Sequence, residues 1–569
     1  MLPPEGPLAH FVDDSADAAR PRFRDPLARP AYLAWRRTLA VVLPFVRSVA
    51  SPSAEVLIGP PRPSDEGAGA VGRLDAAIDA GDQAATAKQK AQIEQALVLL
   101  SATVKRSPPG QEQFAQALSD AAYELGEQLL ESSPLSPLQT DAARADTEGL
   151  LDGIARGAAT LVEARLAAGA GDPVASRGFA GEVARRCNGL RQQIARSPLG
   201  RIEGRAALVL ESGRVGIEVR RMARALGVPA RLPFAPRVPT AGGGDDELVT
   251  PFTLPAPRTP IDPARAQLGK ELFRDQRLSR GGVRSCATCH QPEHGYSDGL
   301  AVSASLDPKS PLTRNTPTLL YAPLHAAQLW DGRVLTPESQ ALGVIHARNE
   351  MGLVSGEIEK ALAADALLRS RFLAAFPDGL TSANVAAALG AFESQALVPG
   401  GSPIDRFARG DELALDTQSR AGLDVFAGPA RCSRCHVPPL FGGSRPRDFA
   451  VPIFAVVGVP AQPDGKLLDG DLGRGALTHR AADARAFKTP TVRDLDRTAP
   501  YFHHGAYKTL AQVIDLYDRG GGKGLGLTVE NQDPDVRPLQ LSAAEKQALT
   551  WFLQVALRDP LAERIVPGQ

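Results

Sequence analysis

The sequence predicts a mainly α protein, in which an N-terminal helical bundle is followed by two smaller helical domains. Three observations carry that expectation. Ala-rich stretches punctuated by Gly and Pro run through the chain, and 54 Gly, 48 Pro and only 5% aromatic residues make much of the rest turn and loop. Apolar residues recur at helical spacing in the first half. The second half holds two copies of one pentapeptide, Cys286-Ala287-Thr288-Cys289-His290 and Cys432-Ser433-Arg434-Cys435-His436. At 569 residues there is room for three or four domains, and a hydrophobic content of 43% is enough to give them packed cores.

Residues 1–70 read as a Pro-rich, irregular leader with a possible export segment. Arg36 and Arg37 precede an apolar stretch over 39–46, and Ser48-Val49-Ala50 has the small-x-small look of a cleavage site. Arg47 and the long preceding segment count against this, so the stretch reads equally well as a first core helix. Residues 71–228 read as a bundle of about four helices of unknown role. Ile93, Leu97, Leu100 and Val104 share one helical face, as do Phe114, Leu118, Leu125 and Leu129. Val215, Val219, Met222 and Leu226 mark the last helix, and Pro108-Pro109, Pro134, Pro137 and Pro173 separate the runs. No histidine or carboxylate pattern there points to chemistry, and a docking or spacer role is expected. Residues 229–262, with Gly242-Gly243-Gly244 and repeated prolines, read as a linker.

Two thiols three positions apart can each add to one vinyl group of the same haem, and the next histidine then brings a ring nitrogen to the iron. C-x-x-C alone also serves zinc or dithiol chemistry, but zinc needs further paired Cys or His ligands, which the sequence lacks. Two complete copies use four of the five cysteines and imply two covalently bound haem c groups. The fifth, Cys187, reads as a small buried apolar residue. The motif spacing gives each haem a domain of about 150 residues, an ordinary size. The expected haem domains, cytochrome-c-like in character, are 263–415 and 416–569. Helices are expected over about 356–376, 382–397 and 542–557, the last opened by the capping box Ser542-x-x-Glu545.

Several strings, in order, carry a resemblance that begins near Asp262 and runs to the C-terminus. They are Leu268-Gly269-Lys270-Glu271-Leu272-Phe273, the first haem motif, Arg314-Asn315-Thr316-Pro317-Thr318-Leu319, Leu329-Trp330-Asp331-Gly332-Arg333 and Glu350-Met351-Gly352. The second haem motif, Thr489-Pro490-Thr491-Val492-Arg493 and Tyr501-Phe502-His503 complete the series. This set resembles the bacterial dihaem cytochrome c peroxidases and their MauG-like relatives. The resemblance implies His290 and His436 as proximal ligands of the two irons. It implies Glu350 as proton shuttle and Gln340, ten positions earlier, as the residue that orients peroxide over the first haem. Trp330 corresponds to the family's tryptophan between the haems, an electron relay.

Resting members of the family often close the first haem with a loop histidine. The corresponding slot is near Asp307, and residues 295–324 contain no histidine. An open first haem is therefore expected, with His294 a loop or propionate-side residue. Classical members give the second haem a methionine ligand, but this chain has three methionines and none follows Met351. Tyr517 stands fourteen residues after His503, where MauG-like members place a tyrosine, so a phenolate-ligated second haem of low potential is expected. His503 and His504 are rival ligands. Asn315, Thr498 and Pro500 match positions that hold a calcium ion in the family through one side-chain amide and two carbonyls, an all-oxygen set that suits calcium. Two departures stand out: Val344 replaces a proline that often follows the glutamine, and Ala430 stands where MauG carries a tryptophan used toward its protein substrate.

The net charge of zero argues against a nucleic-acid partner, and no apolar run approaches the ~20 residues of a membrane span. c-type haem attachment is done on the exported side of bacterial membranes, so a periplasmic location is expected. The expected partners are hydrogen peroxide and a small electron-donor protein of cytochrome c or cupredoxin type. The alternatives are a MauG-like oxidase acting on side chains of a partner protein and a dihaem electron carrier without catalysis.

Overall fold

The computed structural model describes residues 7–18, 32–41, 82–106, 110–131, 137–196, 203–240, 244–257, 260–444 and 449–562, with isolated positions between 74 and 80. The chain divides into two units. One takes Met1–Thr253 with the short pieces Ala408–Gly410 and Ala427–Arg431; the other takes Leu254–Phe407, Asp411–Phe426 and Cys432–Gln569, with both haem motifs. Much of the segment expected as a linker thus belongs to the first unit, and the two haem regions form one unit together.

The long elements of the first unit are helices: α1 (Pro7–Ala18), α2 (32–41), α3 (Gln83–Arg106), α4 (Gln111–Glu131), α5 (Pro137–Ala167), α6 (Pro173–Ala195) and α7 (Arg205–Ala225). Between residues 83 and 225 there are five long helices where the sequence led us to expect about four. The additional break lies between α6 and α7, where the sequence has Pro198 and where Gly204 caps α7 with φ +76°, a left-handed conformation that glycine adopts without strain. Pro173 opens α6 behind Asp172, whose carboxylate accepts from the Val174 and Ala175 N–H groups.

The α2 segment is a core helix. Tyr32, Trp35 and Leu39 are buried, and Arg36 pairs with Asp146 of α5. It lies so close to α5 that a Cβ on Gly149 would sit 2.1 Å from the Arg37 carbonyl oxygen, and one on Gly153 would sit 2.7 Å from that of Val41. The rest of the candidate export segment, 42–50, lies outside the described residues. Cys187 is buried on α6, and burial pushes its thiol up to about 12, as suits an inert packing residue.

The second unit contains α8 (Pro263–Leu272), α9 (Pro337–His346), α10 (Glu357–Leu362), α11 (Ala366–Ala375), α12 (Ser382–Ala396), α13 (Thr417–Ala427), α14 (Leu510–Asp518) and α15 (Ala543–Trp551), joined by long loops. The one helix expected over 356–376 is two, α10 and α11. Asp365 ends the first by capping the second, its carboxylate accepting from the Leu368 N–H. The Ser542–Glu545 capping box is present at α15, which passes into a π turn over Phe552–Ala556. The described strands are short: β1 (Phe454–Ala455) pairs antiparallel with β2 (Phe487–Lys488), Phe454 opposite Lys488.

Each haem motif follows a helix that rides on a later one. A Cβ at Gly269 of α8 would lie 1.9 Å from the Ala388 carbonyl oxygen of α12 and 2.8 Å from Phe392 Cβ. A Cβ at Gly422 of α13 would lie 2.2 Å from the Ala548 carbonyl oxygen of α15 and 2.5 Å from Phe552 Cβ. Only glycine permits such approaches. The same crossing therefore occurs twice, over Ala388-Leu389-x-x-Phe392 and Ala548-Leu549-x-x-Phe552.

Candidate functional site: two haem-motif neighbourhoods

At the first motif, Cys286–Cys289 form one helical turn, with Ser285 and Thr288 in a reciprocal capping box. His290 follows, and its Nδ1 lies 2.9 Å from the Tyr296 carbonyl oxygen. A carbonyl only accepts, so Nδ1 carries the proton and the Nε2 lone pair is left for a metal. Burial lowers the pKa of this imidazole, which favours the neutral ligand form, and pushes the Cys286 thiol up to about 12. The Arg314–Leu319 string fastens the loop after the motif: Ser297 Oγ donates to Thr316 O (2.7 Å) and Thr318 Oγ1 to Gly295 O (2.5 Å).

Glu350 sits in the turn after α9, its N–H on the Ala347 carbonyl. Its carboxyl is half-buried, and burial raises its pKa against the opposing pull of Arg333. It lies near enough to Cys289 for its charge to act on that thiol. Gln340 is half-buried on α9, which Thr336 caps through the Ser339 N–H. The loop corresponding to the family's closing segment is tied to the Glu350 turn: Leu306 N–H donates to Asn349 O (2.8 Å), and Asp307 pairs with Arg348 at 3.2 Å.

At the second motif, His436 Nδ1 lies 3.0 Å from the Pro490 carbonyl oxygen, again leaving Nε2 for a metal; burial lowers this imidazole to about 4. This gives the Thr489–Arg493 string its local reason. Pro490 orients the histidine, Thr491 Oγ1 donates to Leu440 O (2.7 Å), and Arg493 pairs with Asp405 at 2.8 Å, both side chains almost wholly buried. Tyr517, on α14, lies near Cys435 and Cys432. Its ring keeps some accessible surface but is set deep among protein atoms, and that depth raises the phenol well above its usual value. Both rival histidines have Nε2 engaged, His503 with Asp469 (2.9 Å) and His504 with Pro460 O (2.9 Å). His503 also stacks on Phe487 at 3.8 Å, with planes 14° apart.

Trp330 joins segments from both halves of this unit. Its indole N–H donates to Asn315 O (2.8 Å), its carbonyl accepts from Lys488 N–H (2.8 Å), and its ring meets His503 edge-on at 6.4 Å. Arg314 holds the same junction, bonding Asp331 and Asp471, each at 2.6 Å. Asn315 is buried. Its N–H donates to His503 O and its Nδ2 to Leu300 O, both at 2.7 Å, which leaves Oδ1 as the acceptor a cation would use. Thr498 packs its methyl against Gly295. Thus Asn315, Trp330 and His503 come together, as do Glu350 and Cys289, and Tyr517 and the second cysteine pair. Both histidines are prepared for iron, which fits haem. Among the described residues no three His, Cys, Asp or Glu side chains cluster as a metal site.

Two deep titratable groups carried no sequence signal. Glu393 is 4% exposed on α12, raised to about 8 by burial and by Glu338, and its charge reaches Cys286. Lys488 is the other: its N–H bonds the Trp330 carbonyl, and its charge reaches His436. The paired helix crossings were also missed, although the repeated Ala-Leu-x-x-Phe could have revealed them.

A family model described as di-haem cytochrome c peroxidase matches residues 263–413. The methylamine utilization protein MauG of Methylorubrum extorquens is 36% identical over 319 residues, 55% of this chain and 84% of that protein. Cytochrome c551 peroxidase of Pseudomonas aeruginosa is 37% identical over 262 residues, 45% of this chain and 72% of the relative. Among solved structures, a MauG-like protein associated with microbial copper homeostasis aligns with a TM-score of 0.49 at 30% identity, over 54% of this chain and 95% of that one. The two haem motifs, their prepared histidines and the sequence identity to MauG and to the cytochrome c551 peroxidase lead to one conclusion: the chain belongs to the MauG-like di-haem cytochrome c peroxidase family.

Proposed function

We propose that the chain, a MauG-like dihaem peroxidase and thus an oxidoreductase acting on peroxide, takes hydrogen peroxide at an open first haem and receives electrons through the second. The balance is one H2O2, two electrons and two protons to two waters. Two covalently bound haem c groups supply the iron redox chemistry; the residues of the chain bind, orient and move protons. His290 and His436, each holding its Nδ1 proton on a carbonyl, present Nε2 to iron. Glu350 takes the proton from the near oxygen of peroxide and returns it to the far one, a transfer helped by burial, which raises its carboxyl pKa. Gln340 orients peroxide, and Trp330 carries electrons between the two halves. Tyr517 would hold the second iron through its phenolic oxygen, and a phenolate there would favour the ferric state. Asn315 Oδ1 and the carbonyls of Thr498 and Pro500 would hold a calcium ion at this junction.

The supporting observation is an asymmetry: a part-buried carboxyl beside the first cysteine pair, and a deep tyrosine beside the second. The donor is a small cytochrome c or cupredoxin, and the protein works on the exported side of the membrane. Among the described residues no helix is long and apolar enough to cross one.

A second reading is oxidation of side chains on a partner protein. It is favoured by the lack of any methionine after Met351 and weakened as a direct copy by Ala430. Stoichiometric peroxide followed by a small donor separates the readings. A peroxidase changes spectrum and then consumes donor steadily, whereas an oxidase of proteins holds its changed spectrum and turns over small donors poorly. No spectral change at all would leave only an electron carrier and overturn the proposal.

A further inference from the structure

Lys488 brings a positive charge into the interior beside the second haem motif. It ends β2, with its N–H fixed on the Trp330 carbonyl. By surface area the side chain is only part-buried, but by depth it is inside the protein, and depth governs desolvation. Burial alone pushes the ammonium down to about 8, with no carboxylate acting to hold it up. Among the described residues the ammonium makes no hydrogen bond or ion pair. Its charge reaches His436 and His325, both of which it disfavours in the charged form, and it is not among the causes that shift His290.

His325 does not answer that charge. Both its ring nitrogens are covered by protein without a hydrogen-bond partner, and burial holds it well below its ordinary value, so it stays neutral. Its ring is packed against Gly442, where a Cβ would lie 2.6 Å from Cε1. Lys488 differs in that its ammonium keeps accessible surface, so an anion can reach it. A deep ammonium that keeps accessible surface and has no protein anion is stabilised in its charged form by an anion from elsewhere. A c-type haem carries two propionates, the only carboxylates such a group has.

We infer that Lys488 binds a propionate of the second haem and, by neutralising it, raises that haem's reduction potential. The inference rests on the assignment of His436 to the second iron. Lys488→Gln should therefore move the second-haem midpoint to more negative potential in a spectroelectrochemical titration of the full-length holoprotein, with the first haem moving less. Lys488→Arg should restore it. A pyridine haemochrome assay and the ferric spectrum check that both haems are attached and that the second keeps its ligands. If Lys488→Gln keeps both haems and the second midpoint stays where it was, or only the first moves, the inference fails while the two-haem reading stands. If Lys488→Gln loses the second haem, recovery in Lys488→Arg supports a charge role, and failure of both variants overturns it in favour of packing. A His436→Ala protein that kept its second-haem spectrum would refute the underlying assignment instead.

Discussion

Gly269 and Gly422 perform one task twice, each letting a helix lie on the backbone of a later helix over an Ala-Leu-x-x-Phe run. Around these like frames the two haem neighbourhoods differ. The first has Glu350 in a turn, Gln340 on α9 and a loop fastened through Asp307 and Arg348. The second has Tyr517 on α14, Lys488 on β2 and two stacked histidines whose Nε2 atoms are already committed. The frame is fixed by backbone contact, which tolerates no extra atom. The chemistry is fixed by side chains placed outside those crossings, and there the two neighbourhoods differ.

The largest expected effect concerns the ion pairs that brace the frames. Arg493 and Asp405 are almost wholly buried, and Arg493→Ala leaves a buried carboxylate unpaired, at a cost of ~3–5 kcal/mol. Arg314→Ala, at a junction where the guanidinium side chain is 20% exposed, should cost less in a denaturant titration of the same holoprotein. Equal losses would mean that burial does not distinguish the two braces.

Next in size is Glu350→Gln, which should lower steady-state peroxide turnover by ~10²-fold or more, with the second haem's spectrum unchanged. The native pH profile gives a related check. The ionised carboxylate must accept the first proton, and burial raises the Glu350 pKa. Activity should then fall as pH drops through a value above the usual glutamate range, and this acid limb should vanish in the variant. A limb that persists unchanged in Glu350→Gln would assign it to another group.

The smallest effect tests the shared frame. Gly269→Ala and Gly422→Ala each force a methyl against a carbonyl oxygen, a strain of ~1–3 kcal/mol. Both should lower thermal stability, Gly269→Ala the more, since its approach is closer. A neutral result at either position would mean that the crossing is looser than its partner.

The haem attachments were legible in the sequence because covalent chemistry demands adjacent residues. Cys286, Cys289, His290 and their second copies admit little other use. The Ser542–Glu545 start of α15 was legible for a similar reason, being a local hydrogen-bond pattern. The helix break at Asp365 was not, because a capping aspartate within an apolar-periodic run looks like one more polar position. Nor was the break before α7, since Pro198 is one proline among many and the left-handed conformation of Gly204 is not written in its residue type. Lys488 was silent for a different reason: a two-residue strand has too little alternation to say which side chain points inward. The candidate relay and ligand residues, Trp330 and Tyr517, entered by resemblance alone; the structure supplies their neighbours, Asn315, His503 and the second cysteine pair.

The central claim is that two alike frames hold unlike irons, one with a vacant face and one capped by the Tyr517 oxygen. Electron paramagnetic resonance of the ferric holoprotein tests it most directly. One high-spin signal from a five-coordinate haem and one low-spin signal that changes in Tyr517→Phe are expected. Two low-spin signals, both unchanged in that variant, would contradict it.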